Sequence, residues 1–360
     1  MTHPELRTGP SADPHDADLH AEPSATDSMH PEPAHYDPLP ETVVDAVVIG
    51  GGAAGLSGAL MLARSRRRVV VLDSGSPRNA PAEGIHGLLG HEGTPPGEYL
   101  ERGRAEVRRY GGRVVRGEVA SARTAAPSAD GDLRFEIVLA DGRDLTARRV
   151  LVATGIRDEL PQVPGLAQHW GHDLVHCPFC HGYEVRDRAI GVIATLPFHA
   201  HLALMFRALS EDVEVFAAGA ELDAVALERF AALGITVHET PIQEVLEGAD
   251  GGIAGIRLAG GEVVERSVLA AGTRMIPRLD GLEDLGLDVE ELPGGMGQKV
   301  ATGMAGTTEV PGVWVAGNAA DPSAQVGASA AAGALAGAHL HGALVMADAD
   351  AAVAARARQA

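Results

Sequence analysis

Val47-Val48-Ile49-Gly50-Gly51-Gly52-Ala53-Ala54-Gly55 is the stretch on which the fold turns. The three apolar residues predict a buried strand. Glycines at 50, 52 and 55 follow at once, and Leu56, Leu60, Met61 and Ala63 then recur at helical spacing. A second apolar run, Val69-Val70-Val71-Leu72, ends at Asp73. Strand, glycine turn, helix, strand and terminal acid in that order open a dinucleotide-binding unit. Gly50 permits the tight turn, Gly52 lets backbone approach a pyrophosphate, and Gly55 lets the helix lie close to the strand. Ala53 and Ala54 begin that helix, whose free N–H groups face the phosphates. Asp73 stands where a carboxylate accepts hydrogen bonds from an adenosine ribose. A glycine turn without a ligand is the plain alternative, and the loop alone does not choose between FAD and NAD.

The pattern then partly restarts. Ile190-Gly191-Val192-Ile193-Ala194 predicts a strand, His199–Leu209 a helix, and Val213–Phe216 a second strand. Leu222–Leu233 and Ile235–Val237 continue as helix and strand. Between the two units lie a charged surface helix (Tyr99–Tyr110), strands at 113–122, 135–139 and 150–152, and a hairpin turn at 140–143. A late strand, Val313–Ala316, leads through Gly317-Asn318 into an Ala-rich helix from Gln325 to about Val345. The expected fold is α/β, with two doubly wound, Rossmann-like domains, the second inserted in the first. Residues 42–157 and 275–346 make the first domain and 158–274 the second, and the chain from Asp348 onward reads as a frayed tail.

Composition bounds what this frame can do. The chain has 360 residues, a formal net charge of −20 and a single lysine, Lys299. Such an acidic balance argues against nucleic acid or an anionic membrane as the main partner. Nine acids against one base fall within residues 1–41. That stretch also scatters Pro and His without apolar periodicity, and it reads as disordered. No charge-free apolar run reaches the length of a membrane span, and no basic start leads into an apolar stretch, so a cytoplasmic protein is expected.

Both cysteines sit in His176-Cys177-Pro178-Phe179-Cys180-His181-Gly182-Tyr183-Glu184. At that spacing two sulfurs can close a small-ring disulfide, and neighbours can stabilise one thiolate. Three other readings stand beside redox chemistry. Cys177-x-x-Cys180-His181 matches c-type haem attachment. Two sulfurs with His176 and His181 supply four zinc-ligand types, and no metal site is expected from ligands so close in the chain. Two inert buried cysteines are the third.

Taken in order, Gly50–Gly55, Ala153-Thr154-Gly155, the C-x-x-C pair and Gly312–Asn318 resemble the low-molecular-weight thioredoxin reductases. These are FAD-dependent disulfide oxidoreductases, and the likeness spans about residues 43–346. The resemblance implies FAD contacts from Gly50, Gly52, Ala53, Ala54, Gly55, Asp73, Arg78, Asn79, Val119, Ala153, Thr154, Gly155, Gly317, Asn318, Gln325 and Val326, with Asp321 beside the flavin. It also implies a homodimer. Asn318 replaces the family's usual acid, and its amide can hydrogen-bond ribityl or phosphate oxygens.

Two departures change the expected chemistry. After the strand at 190–193 the family carries a second glycine loop for NADPH, but here the sequence is Ala194-Thr195-Leu196-Pro197-Phe198-His199. No arginine pair follows Val213–Phe216 to meet a 2′-phosphate; Ala217–Glu221 stands there instead. The segment Cys-Pro-Phe-Cys-His-Gly-Tyr-Glu is similar to that of the thioredoxin-reductase-like dithiol oxidases of natural-product clusters, which use FAD and O2 without NADPH. The expected reaction is therefore oxidation of a small dithiol. Cys177 takes the substrate, Cys180 faces the flavin, and His181 is the preferred base, with His176 a weaker candidate. Phe179, Tyr183 and Phe198 offer an apolar wall. The rivals are a thioredoxin reductase fed by ferredoxin or another donor, an ordinary NADPH thioredoxin reductase, and a non-catalytic flavin redox sensor.

Overall fold

The computed structural model describes residues 36–129 and 131–359. The acidic stretch up to residue 35 lies outside them. The ordered chain starts earlier than the composition suggests, because Asp37 is held on two sides. Its carboxylate accepts from the Val114 backbone N–H (2.8 Å) and from Arg108 Nε (3.0 Å). Tyr36 lies beneath the guanidinium groups of Arg104 and Arg116.

Strand β1 (Val44–Ile49), helix α1 (Ala53–Arg64) and β2 (Val69–Asp73) form the expected opening. Helix α2 (Pro96–Arg109) and β3 (Arg113–Arg116) follow, then β4 (Val119–Ala125), β5 (Arg134–Leu139) and β6 (Asp144–Val152). The single strand expected at 113–122 is thus two. β7 (Ile156–Glu159) leads away from this sheet to β8 (Leu174–Val175) and the short helix α3 (Pro178–His181). The second unit runs through β9 (Ile190–Ile193), α4 (His199–Arg207), β10 (Val213–Phe216), α5 (Ala224–Leu233) and β11 (Thr236–His238). β12 (Ile242–Glu247), β13 (Ile253–Leu258) and β14 (Val263–Glu265) make an antiparallel sheet, and β15 (Val268–Ala271) returns beside β9. β16 (Arg274–Pro277), β17 (Val289–Glu291), β18 (Gln298–Val300), β19 (Val313–Val315) and α6 (Val326–Gln359) complete the chain.

The first sheet has the order β3-β2-β1-β6, with β19 parallel to the end of β6 and the β4–β5 hairpin antiparallel to its start. β1 and β2 are buried along their whole length, which is why they are apolar without alternation. The second sheet, β11-β10-β9-β15-β8, is parallel throughout. The chain crosses between the sheets twice, and the crossings pair as an antiparallel ribbon, β7 with β16. This is a two-domain Rossmann-like fold with the second domain inserted in the first.

α1 and α6 cross with backbones almost touching. A Cβ on Gly333 would lie 1.9 Å from the Ala54 carbonyl oxygen, and one on Gly337 would lie 2.5 Å from that of Gly58. The close crossing brings both helix N-termini to one place. α6 also corrects an expectation: the chain beyond Asp348 is not a frayed tail. Asp348 pairs with Arg67 and Arg148, each at 2.6 Å, and the helix continues to Gln359. By length and apolarity alone α6 could cross a membrane, against the expectation of no such segment. Its buried residues, Ser329 to Leu344, lie within the fold.

Candidate active site

A cavity of about 620 Å³ runs from the glycine turn after β1 to the cysteine pair. Gly50, Gly52, Ala53, Ala54, Asp73, Arg78, Asn79, Ala153, Thr154, Gly155, Gly317, Asn318, Gln325 and Val326 all line it. Gly55 lies behind, where a Cβ would meet the Gly50 carbonyl oxygen at 1.8 Å, so it serves helix packing. Val119 is misplaced by the sequence reading. It lies on β4, paired with Leu139 and packed into the sheet's core, and does not line the cavity.

The residues fit a flavin dinucleotide. Gly50 has φ +111°, and a Cβ there would stand 2.3 Å from the Ala153 carbonyl oxygen. A Cβ on Gly52 would touch nothing, so that face is open for a ligand rather than for protein. The N-termini of α1 and α6 both reach the cavity, which suits an anionic pyrophosphate. The buried Thr154 hydroxyl lines it with no partner among the described residues.

Three polar residues behave differently from expectation. Asp73 already accepts from Arg104 (2.9 Å) and the Gly75 N–H (2.9 Å), so its carboxylate is oriented before any ribose arrives. Arg78 does not reach into the cavity as a free cation. Its Nε and one terminal nitrogen each donate to Asp158 at 2.6 Å, and the Thr273 hydroxyl donates to the same carboxylate at 2.7 Å. Burial pushes the Asp158 carboxyl up, but the Arg78 fork and Thr273 outweigh it and hold the group below the usual range. Asn318 donates its amide N–H groups to the carbonyls of Asp321, Pro322 and Ala324 (2.8–3.2 Å). It shapes the turn after β19 and has no proton left for a phosphate.

Cys177 and Cys180 form a disulfide with Cα atoms 5.2 Å apart. Pro178 starts α3 between them, and the N–H groups of Cys180 and His181 donate to the Cys177 carbonyl. His176 Nδ1 donates to the Ala271 carbonyl (3.1 Å), and burial, opposed by that bond, keeps the imidazole below its ordinary pKa. Burial likewise lowers His181, whose Nε2 has no partner among the described residues. Both imidazoles are therefore neutral at physiological pH, and His181 keeps a free ring nitrogen beside the cysteines.

The second unit adds Phe198, His199, His201, Leu202 and Met205 to the lining of the same cavity. Phe198 and Phe179 line the cavity as expected, whereas Tyr183 does not. The helix α4, which in a dinucleotide unit meets phosphate, here presents side chains. Sequence reasoning missed His199, which is 2% exposed. Its Nδ1 accepts from the Thr195 N–H (3.1 Å) and lies 3.4 Å from that of Leu196. The imidazole thus occupies the backbone donors that a phosphate would need. The loop Pro293–Gly295 passes near the turn: a Cβ on Gly294 would stand 3.5 Å from Phe198 and one on Gly295 3.6 Å from Leu196, while Pro197 and Phe198 stay exposed.

The chain belongs to the pyridine nucleotide-disulphide oxidoreductase family, which it matches over residues 44–338. It is a thioredoxin-reductase-like flavin disulfide oxidoreductase, an enzyme of that class. Among its relatives are "Thioredoxin reductase tcpT" of Claviceps purpurea (35% identical; 70% of this chain, 80% of that one) and "Thioredoxin reductase sirT" of Leptosphaeria maculans (32%; 79% and 89%). The solved structure of HlmI superposes with a TM-score of 0.81 at 44% identity, covering 89% of this chain and 98% of that one.

Proposed function

We propose that this enzyme binds FAD and oxidises a small-molecule dithiol to a disulfide, with O2 as final acceptor and without NADPH. The observation that carries the reading is the closed second turn. His199 fills its amide donors, and no arginine stands in Ala217–Glu221 after β10. An electron donor other than a nicotinamide is then needed, and the disulfide lining the same cavity can take electrons from thiols. The likeness to the natural-product dithiol oxidases in the Cys177–Glu184 segment agrees with this.

In the proposed sequence His181 accepts a proton from one substrate thiol. The resulting thiolate attacks Cys177, joining substrate to enzyme and leaving the electron pair on Cys180. The second substrate sulfur, deprotonated in turn, displaces Cys177 and closes the product disulfide. FAD, when bound, would take up the two electrons of the reduced cysteine pair and pass them to O2. The glycine turns after β1 and β19 and the two helix N-termini would hold its pyrophosphate. The balance is dithiol plus O2 giving disulfide plus hydrogen peroxide. Phe179, Phe198, Leu202 and Met205 would offer apolar surface to a small substrate. A homodimer belongs to the same reading, supported by the exposed Leu335 and Met346 on α6.

The test is oxygen uptake with a panel of small dithiols, beside anaerobic mixing with NADPH. Uptake with stoichiometric peroxide and no bleaching by NADPH is expected. Rapid bleaching by NADPH overturns the reading. Within the pair, Cys180→Ser is expected to trap substrate on Cys177 as a mixed disulfide visible by intact mass, and Cys177→Ser to trap none.

A further inference from the structure

The parallel ladder of β8 on β15 fixes one imidazole of the cavity. Ala270 pairs with Val175, so the residues that follow, Ala271 and His176, come side by side. His176 Nδ1 donates to the Ala271 carbonyl at 3.1 Å. A carbonyl can only accept, so the ring proton is on Nδ1 and Nε2 carries a lone pair. No described residue donates to that nitrogen, and it is not sealed from solvent. His176 lines the cavity, and Cys177 follows it in the chain. Nε2 is thus an acceptor without a partner in the cavity that holds the disulfide.

The charges around that acceptor are already matched. Among the described residues three charged side chains line the cavity: Asp73, Arg78 and Arg278. Asp73 is held by Arg104, and the Arg78 fork by Asp158. Arg278 donates to the Ser76 carbonyl at 3.0 Å, just past Asp73 and so at the dinucleotide end. Burial holds the imidazoles of His176, His181 and His199 below their ordinary pKa, and they are uncharged near neutrality. His86 stands 2.6 Å from Glu92, and His201 is exposed. A carboxylate or ammonium carried in with the sulfurs would lose its water and meet no free counter-charge. The chain's net charge of −20 adds a repulsion for anions.

We propose that the site selects an uncharged dithiol bearing an N–H or O–H donor near its sulfurs, and that His176 Nε2 accepts from that donor. The inference rests on the dithiol reading above and names the substrate class for that site. His176 is then a specificity-determining residue: it holds the substrate by a neutral hydrogen bond, while the thiol proton still goes to His181. An amide N–H or a hydroxyl meets this acceptor without the desolvation loss that a full charge would suffer.

The experiment follows anaerobic flavin bleaching in the holoenzyme by three dithiols of one skeleton, compared at equal thiolate concentration. They are bis(mercaptomethyl)acetic acid, its N-methylamide and its methyl ester. The amide and the ester are uncharged and close in shape, and the ester lacks the N–H. The amide should act on the order of a hundredfold faster than the acid, which must bury an unpaired carboxylate. It should act roughly three- to tenfold faster than the ester, the effect of one neutral hydrogen bond. His176→Phe should slow the amide alone, chiefly through KM, and bring it level with the ester. An acid as fast as the amide overturns the proposal. So does an amide-to-ester ratio that survives in His176→Phe, or an equal loss for both substrates, which marks a base or a structural role. Where His176→Phe fails to hold flavin, the wild-type ratio decides: an ester as fast as the amide overturns the proposal. A wild-type enzyme reduced by none of the three, nor by dithiothreitol, defeats the dithiol reading itself. A working enzyme indifferent to charge and donor defeats this inference alone.

Discussion

The turns after β1 and after β9 begin from the same strand–turn–helix frame and end in opposite states. After β1 the backbone is bare. A side chain at Gly52 would meet nothing in the protein, and two helix N-termini face the gap. After β9 the turn is filled from within by the His199 imidazole. A Rossmann-like frame therefore supplies an anion site only where nothing else takes its N–H groups. Once they are satisfied internally, the helix that follows is free to serve as a wall, and α4, with Phe198 just before it, lines the disulfide's cavity through Leu202 and Met205.

The sharpest way to break this comparison is to fill the open turn. Gly52→Val should fold, with native far-UV circular dichroism, yet purify colourless, because its side chain occupies the pyrophosphate's space. Gly50→Ala should instead fail to fold, since φ is +111° and the Ala153 carbonyl lies 2.3 Å from the new methyl. A yellow Gly52→Val protein removes the assigned placement.

The next effect concerns the closed turn. NADPH and NADH should bleach the flavin at least about a hundredfold more slowly than a good dithiol. Each missing charge-assisted hydrogen bond costs roughly 1.5–3 kcal/mol, and both the cradle and the arginine pair are missing. Stopped-flow absorbance reads the ratio directly.

A third effect is on stability. Burial, with His176 nearby, pushes the pKa of His199 down from 6.5 to about 4. Below pH 6.5 the unfolded chain binds a proton there that the folded chain refuses. Stability is full above that pH and falls as the solution is acidified toward 4, by roughly 3 kcal/mol from this group at 1.36 kcal/mol per unit. Thermal melts should show the loss. His199→Asn, which keeps an acceptor for the Thr195 N–H without a titrating ring, should flatten it.

The smallest effect sharpens the wall. Met205→Ala should raise KM for an apolar dithiol by about tenfold or less and leave KM for dithiothreitol nearly unchanged, as expected for a few lost methylene contacts. Steady-state oxygen uptake with the two substrates decides it.

Much of this was legible in the sequence because the signals are local. Glycine spacing, a buried apolar run and a terminal acid act within about one turn of chain, so the first binding turn and the cysteine pair could be read residue by residue. The same reading noticed that the second turn had lost its glycines, but not what replaced the phosphate. His199 looks like an ordinary first helical residue until the fold buries it beneath Gly272, where a Cβ would stand 1.8 Å from its Nε2. Val119 was misjudged for a similar reason: whether β4 reaches the cavity at all depends on where the hairpin with β5 sits in the sheet, which a seven-residue strand with no clear alternation does not declare.

By itself, then, the sequence determined the class of fold, the open turn, the cysteine pair and the absence of an arginine in Ala217–Glu221. Each depends on residue type at short spacing. Only the tertiary structure decided how polar side chains are used. Arg78 meets Asp158 across 80 positions, Thr273 reaches the same carboxylate across 115, and His86 stands between Glu92 and Glu184. Each of these bonds replaces one to water with nearly equal strength, so pairing is settled by geometry and burial rather than by residue type. That geometry exists only once the two sheets have closed on each other.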